Sequence, residues 1–192
     1  VILKIIKIPK DSTNLDTILT ENLVEDLRKD EEEEKANTIA RRFISYRPRS
    51  ESELRKRLLK TFSPEVVSSS VAQMYRENLL DDSRFAQMWV DSRQQSRPKS
   101  RRATKQELIS KGISEHNAEQ AISEIHDLEN AWICVKKKIR SLTGLEKEEF
   151  YRKLEGHLQR RGFNFSVSSA AIQQGWELSQ SEINNTIDSI NL

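Results

Sequence analysis

Cysteine, glycine and proline are scarce in this chain, and no long apolar run occurs. A single cysteine, Cys134, excludes an intramolecular disulfide and fits a reducing compartment. Five Gly and four Pro are too few for the turns of a many-stranded sandwich or barrel. The apolar opening Val1 to Ile8 is interrupted by Lys4 and Lys7, is too short to span a bilayer, and is followed by no small-residue cleavage site. The expectation is a soluble, cytoplasmic protein without a membrane partner. Hydrophobic residues make up 35% and charged residues 32%. Leu, Ile, Val and Phe are about a quarter of the chain, above the roughly 20% below which disorder sets in. This profile suits small helical units with modest cores and much wet surface.

Catalytic patterns are missing too. Gly144 and Gly156 stand alone, so there is no phosphate-cradling loop, and no nucleophile elbow occurs. His116, His126 and His157 lie at no zinc-like spacing with Cys134. Cys134, beside Trp132 and Val135, reads as a small core residue. Asp81-Asp82 lacks a third carboxylate at ligand spacing and reads as a helix cap. Trp89, Trp132 and Trp176 could each stack on a nucleobase; Trp89 and Trp132 sit among apolar helix residues and read as core, whereas for Trp176 both readings stay open. No enzyme activity, metal or cofactor is expected.

Charge is present in quantity but unevenly placed. The formal net charge of +2 conceals an acidic segment, 1–35, with 6 basic and 10 acidic side chains, and a basic remainder with 26 and 20. Residues 47–60 hold six Lys/Arg against Glu51 and Glu53, and residues 93–111 hold seven against Glu107. Lys136, Lys137, Lys138 and Arg140 form a third cluster. Basic clusters favour a polyanionic or acidic partner, although any one of them alone also describes a solvated helix face.

The chain repeats at a spacing of 50. Arg47-Pro48-Arg49-Ser50 recurs as Arg97-Pro98-Lys99-Ser100, and Leu58, Leu108 and Leu158 keep the same interval. Gly112 and Gly162 follow the last two leucines by four residues, with Phe62 at the matching place in the first unit. A fixed period marks a repeat architecture, and this one suits a three-helix unit. Ser50 to Glu53 is a capping box, followed by the stripe Leu54, Leu58, Phe62. Ser63-Pro64 opens a helix with Val67, Val71 and Met74, and Asp81 or Asp82 caps one with Phe85, Ala86, Trp89 and Val90. Gly112 is expected in the left-handed position after a helix, with Ile122 and Ile125 in the helix that follows. Trp132, Val135 and Ile139, then Leu154 and Leu158, then Val167, Ala171 and Ile172 mark the last three helices. Phe62 cannot replace a left-handed Gly without strain, so a different turn is expected there, directed by Ser63-Pro64. The expected fold is all-α, a tandem array of three three-helix repeats at 36–80, 81–126 and 127–176. It carries an N-terminal extension, 1–35, with a short strand over 1–8 and a helix over 14–35, and a polar, partly disordered tail, 177–192.

Four stretches carry a family resemblance. They are Ala40-Arg41-Arg42-Phe43-Ile44-Ser45-Tyr46-Arg47-Pro48-Arg49-Ser50 with Glu53-Leu54; Asn78-Leu79-Leu80-Asp81-Asp82-Ser83-Arg84-Phe85-Ala86; Glu107-Leu108-Ile109-Ser110-Lys111-Gly112-Ile113; and Leu158-Gln159-Arg160-Arg161-Gly162-Phe163. In this order they resemble the RecX family, regulators of the RecA recombinase, over about residues 36–176. The resemblance implies an elongated all-helical protein that binds the RecA filament on single-stranded DNA and suppresses its ATPase, strand exchange and growth. The chain departs from the family pattern at Phe62, where Gly is usual, and in 1–35.

Under that reading the contacts to filament carboxylates and DNA phosphates fall to Arg47, Arg49, Arg57, Arg97, Lys99, Arg101, Arg102, Lys105, Arg160 and Arg161. The planar fork of Arg suits both anions. A monomer is expected. Two other readings stay open: a helical protein that binds DNA directly, and a helical adaptor for a partner that is neither RecA nor DNA. The small net charge weighs against strong nonspecific DNA binding.

Overall fold

The computed structural model describes residues 14–190, with side chains over 23–181; the strand expected at 1–8 lies outside the described residues. Among those residues the chain is all-helical. The helices are α1 (Asn14–Ser45), α2 (Glu51–Leu58), α3 (Pro64–Arg76), α4 (Asp82–Ser96), α5 (Arg101–Ser110), α6 (Glu115–Ala121), α7 (Asp127–Ile139), α8 (Lys147–Gln159) and α9 (Phe165–Ile190), with a single 3-10 turn at Arg140–Leu142. No helix among the described residues is long and apolar enough to cross a membrane.

Local chemistry sets most helix starts. Ser63 accepts the Val66 N–H, with Pro64 at the first helical position, where its missing N–H leaves nothing unpaired. Asp81 caps α4 by accepting the Arg84 N–H at 2.9 Å, and Ser114 and Asn164 do the same for α6 and α9. Two of the ends are set by left-handed glycines. After α5, Gly112 sits at φ +82°, with Gly112 N–H on Ile109 C=O at 2.9 Å and Ile113 N–H on Leu108 C=O at 3.1 Å. That is a Schellman end, closed by the buried pair Leu108 and Ile113. Gly162 repeats it after α8. Phe62 has no positive φ, and the chain passes from α2 to the Ser63 cap by another turn, as the Ser63-Pro64 pair directs.

The chain divides into two compact units. The first holds α1 through Pro48 with Leu54–Leu80. In it α1 packs along α3, and Ala40, Leu54, Leu58, Val71 and Met74 form a core against half-buried Phe43 and Phe62. Each large apolar side chain so buried contributes about 1.5–3 kcal/mol. Arg41 clamps the helices together by donating Nε and Nη2 to the two carboxylate oxygens of Glu77, at 2.9 and 2.7 Å. The second unit holds Arg49–Glu53 and the chain from Asp81 onward. One of its cores gathers Phe85, Val90, Leu108, Ile113 and Ile122 among α4, α5 and α6. The other gathers Val135, Ile139, Phe150, Leu154 and Ile172 among α7, α8 and α9. Trp176, for which the sequence leaves core packing and base stacking both open, is half-buried and edge-on to Phe150 at 5.3 Å, against the core. Gly175 lets α9 cross α7 closely: a Cβ there would lie 2.4 Å from Val135 Cγ1.

Helix α1 runs unbroken through residue 35 to Ser45, and no Gly or Pro interrupts 14–45. Two expectations need correction. The polar tail is helical: α9 continues to Ile190, and Ser179 is buried one turn beyond Trp176, with its Oγ donating to the Trp176 C=O at 2.8 Å. Ile122 and Ile125 are buried as expected, but they lie in the turn after α6, which stops at Ala121. The core requires their side chains, and a turn delivers these as well as a helix would.

Candidate nucleic-acid interface

The second unit builds one junction twice. Ser50 Oγ accepts the Glu53 N–H at 3.2 Å and donates to the Lys111 C=O at 2.7 Å. The Asp82 carboxylate accepts the Glu51 N–H at 2.8 Å, and Gly112 lies so close that a Cβ would reach 2.2 Å from Ser52 Cβ. Fifty residues on, Ser100 Oγ accepts the Ala103 N–H at 3.1 Å, while the Ser100 N–H donates to the Arg161 C=O at 3.1 Å. Asp127 accepts the Arg101 N–H at 2.6 Å, and a Cβ on Gly162 would meet Ala103 Cβ at 2.7 Å. The repeated Arg-Pro-x-Ser, the Lys-Gly or Arg-Gly end and the Asp start are therefore parts of one docking device. Their Ser, Gly and Asp members are used up in structure.

The cations around the junctions divide into paired and open ones. Lys99 Nζ and Arg93 Nε both donate to Glu107, at 2.6 and 2.8 Å, and Trp89 Nε1 joins them at 3.0 Å. Partial burial pushes the Glu107 carboxyl up, but these three hydrogen bonds outweigh it and hold it below its ordinary range. Lys105 Nζ donates to Glu115 and Glu119 at 2.8 and 2.5 Å, and Arg101 reaches Glu119 at 3.4 Å. Arg49 lies 3.9 Å from Glu53. Arg47 donates Nη1 to the Pro48 C=O at 2.9 Å. Arg97, Arg102 and Arg160 are exposed, and their side chains make no hydrogen bond or ion pair among the described residues. Of the ten sequence candidates, these three are the second unit's open donors. Arg57 is in the first unit, half-buried, and lines a small pocket with Ile39, Arg42, Phe43 and Tyr46.

Arg161 points inward, with Nη1 donating to the His157 C=O at 3.3 Å and lying 3.2 Å from His157 Nδ1. Burial pushes the His157 imidazole down to about 4, and the charges of Arg161, Lys138 and Arg160 add to that effect. His157 thus stays neutral at pH 7 and reports a positive surface shared by the ends of α7 and α8. Lys137 and Lys138 belong to that surface, and the sequence marks them only as part of a charge cluster. The signal that places them is the helical register of α7, whose opposite face buries Cys134, Val135 and Ile139.

Cys134 is buried, its thiol pushed up by burial, and it faces the Pro98 C=O at 3.4 Å. Among the described residues no group of three His, Cys, Asp or Glu could hold a metal ion.

Fold and surface together define a class: an all-helical chain of tandem three-helix units with cationic side chains left open at its surface. Known proteins agree. Family models described as the first, second and third three-helix domains of RecX match residues 36–74, 81–122 and 125–172, more than half of the chain. The chain is 32% identical over 148 residues to the regulatory protein RecX of Streptomyces coelicolor, covering 75% of this chain and 79% of that protein. It is 33% identical over 144 residues to the one of Mycolicibacterium smegmatis, covering 71% and 77%. The crystal structure of RecX from Lactobacillus salivarius superposes with a TM-score of 0.66 at 20% identity, over 75% of this chain and 96% of that one, and so supports the fold. The chain belongs to the RecX family of regulatory proteins.

Proposed function

We propose that this protein is a non-enzymatic regulator that binds the RecA filament on single-stranded DNA and restrains its ATPase, strand exchange and growth. It works as a monomer in the cytoplasm, through repeats at 36–80, 81–126 and 127–176. The observation that carries this reading is the match of all three RecX three-helix domains in order along the chain. The open cations add to it, since Arg97, Arg102 and Arg160 keep their guanidinium donors available for carboxylate or phosphate. No chemistry is required: a ligand that favours one arrangement of a filament shifts it by its difference in affinity for the two.

The test is RecA's DNA-dependent ATPase while this protein is titrated in, with bare-DNA binding measured at the same salt. Loss of ATPase at protein levels too low to coat the DNA is the expected result. Loss only at DNA saturation favours direct DNA binding instead. No loss at any level overturns the reading.

A further inference from the structure

The first unit carries an aromatic feature that the basic-surface reading leaves unused. Tyr46, just beyond the last residue of α1, is 70% exposed. It is held in place: Arg42, one turn back, donates Nε to the Tyr46 hydroxyl at 3.2 Å. The ring borders a pocket of about 240 Å³ lined by Ile39, Arg42, Phe43, Tyr46 and Arg57. Ile39 and Phe43 pack against the core of this unit and so are fixed by the fold. No carboxylate lines the pocket, and Arg57 makes no hydrogen bond or ion pair among the described residues.

Three properties narrow the occupant. The volume lies below the range of sites that enclose a drug-sized ligand, so it suits a single planar ring. A pinned, exposed phenol over an apolar floor offers a flat face for stacking at little entropic cost. Two guanidiniums at the rim, with no opposing acid, attract phosphate. A carboxylate-bearing peptide would use the guanidiniums but leave the Tyr46 face uncovered. A strand of unpaired nucleotides uses both, since every base has a π-face and every linkage a phosphate.

We infer that Tyr46, with Phe43, Ile39 and the flanking Arg42 and Arg57, forms a stacking site for one unpaired base of a single-stranded nucleic acid. The inference rests on single-stranded DNA being a partner, as in the reading above, but not on any action upon RecA.

The test uses the full chain and fluorescence anisotropy with labelled oligodeoxythymidylate and an abasic strand of the same length. The two probes share phosphates and differ in bases. Wild-type protein is expected to prefer the thymidylate strand by about fivefold or more, the equivalent of one stacked base. Tyr46→Ala is expected to erase that preference and leave abasic binding unchanged. Tyr46→Phe keeps the preference, and Arg57→Gln weakens both strands alike. Because Tyr46 is exposed, its two variants are expected to keep wild-type circular dichroism and melting. The inference is overturned if wild type binds neither strand, if it binds both equally, or if Tyr46→Ala keeps the preference or loses both strands together. Failure of the RecA reading shows separately, as an ATPase that wild-type protein leaves untouched.

Discussion

The Asp127 carboxylate accepts the backbone N–H of Arg101 at 2.6 Å, which ties the start of α7 to the start of α5. Asp82 does the same for Glu51, which lies fifty residues before Arg101, at 2.8 Å. Each carboxylate satisfies an amide that the first turn of a helix leaves without a partner. Asp127→Ala is therefore expected to cost about 1 kcal/mol, read as a lower urea midpoint. Asp127→Asn, which keeps an acceptor oxygen, should recover most of it.

The glycines separate two kinds of cost. Gly112 and Gly144 both have positive φ, at +82° and +84°. A Cβ on Gly112 meets Ser52 Cβ at 2.2 Å, while one on Gly144 meets nothing within 4 Å. Gly144→Ala is expected to cost only the left-handed backbone penalty, about 1–2 kcal/mol. Gly112→Ala adds the clash, about 1–3 kcal/mol more. Equal losses in chemical denaturation would mean that the junction yields without strain.

Acid stability should depend on Glu77. The two hydrogen bonds from Arg41, with one from Gln73, hold its carboxyl at about 2, below the ordinary 4.5. A depressed carboxylate stabilises the fold above its unfolded pKa and loses that contribution as pH falls through the folded value. The wild-type urea midpoint should thus fall between pH 5 and 2, and the Glu77→Gln profile should be flatter over that window.

His157 acts over a different range. It is neutral in the fold down to about pH 4, whereas an unfolded histidine takes up its proton near 6.5. Its contribution is full above pH 6.5 and is lost as pH falls from 6.5 to 4. A proton NMR titration of the ring should show the low midpoint, and Arg161→Gln should raise it by removing a neighbouring charge.

The open and paired cations should respond differently. Reversing Arg97, Arg102 and Arg160 to Glu together is expected to raise the concentration needed for half-inhibition of RecA at least tenfold, with melting unchanged. Lys105→Ala breaks two contacts to Glu115 and Glu119 and is expected to shift melting slightly while leaving inhibition near wild type. The reverse pattern would move the contact surface to the paired residues.

Much of this protein is local, and the local part is readable in the amino-acid order. Caps such as Ser63 and Asp81, the glycine ends at 112 and 162, and the stripe Leu54, Leu58 depend on neighbours within a turn or two. The 50-residue spacing multiplies that signal, and with it the family. Helix extent was less legible at α1 and α9, because polar residues tolerate helix as readily as coil until a packing face decides; Ser179 is helical where Trp176 and its neighbours meet α7. The candidate site was legible only as a list of ten cations. Which of them stay open depends on carboxylates brought near by folding, Glu107 for Lys99 and Glu119 for Lys105, at separations that no short-range pattern encodes. Composition and repeat thus determined a tandem helical chain with basic clusters. Tertiary packing alone decided that Arg97, Arg102 and Arg160 have no ion-pair partner among the described residues and that Tyr46 stands exposed beside Arg42 and Arg57, because ion pairing and burial are set by distance in space.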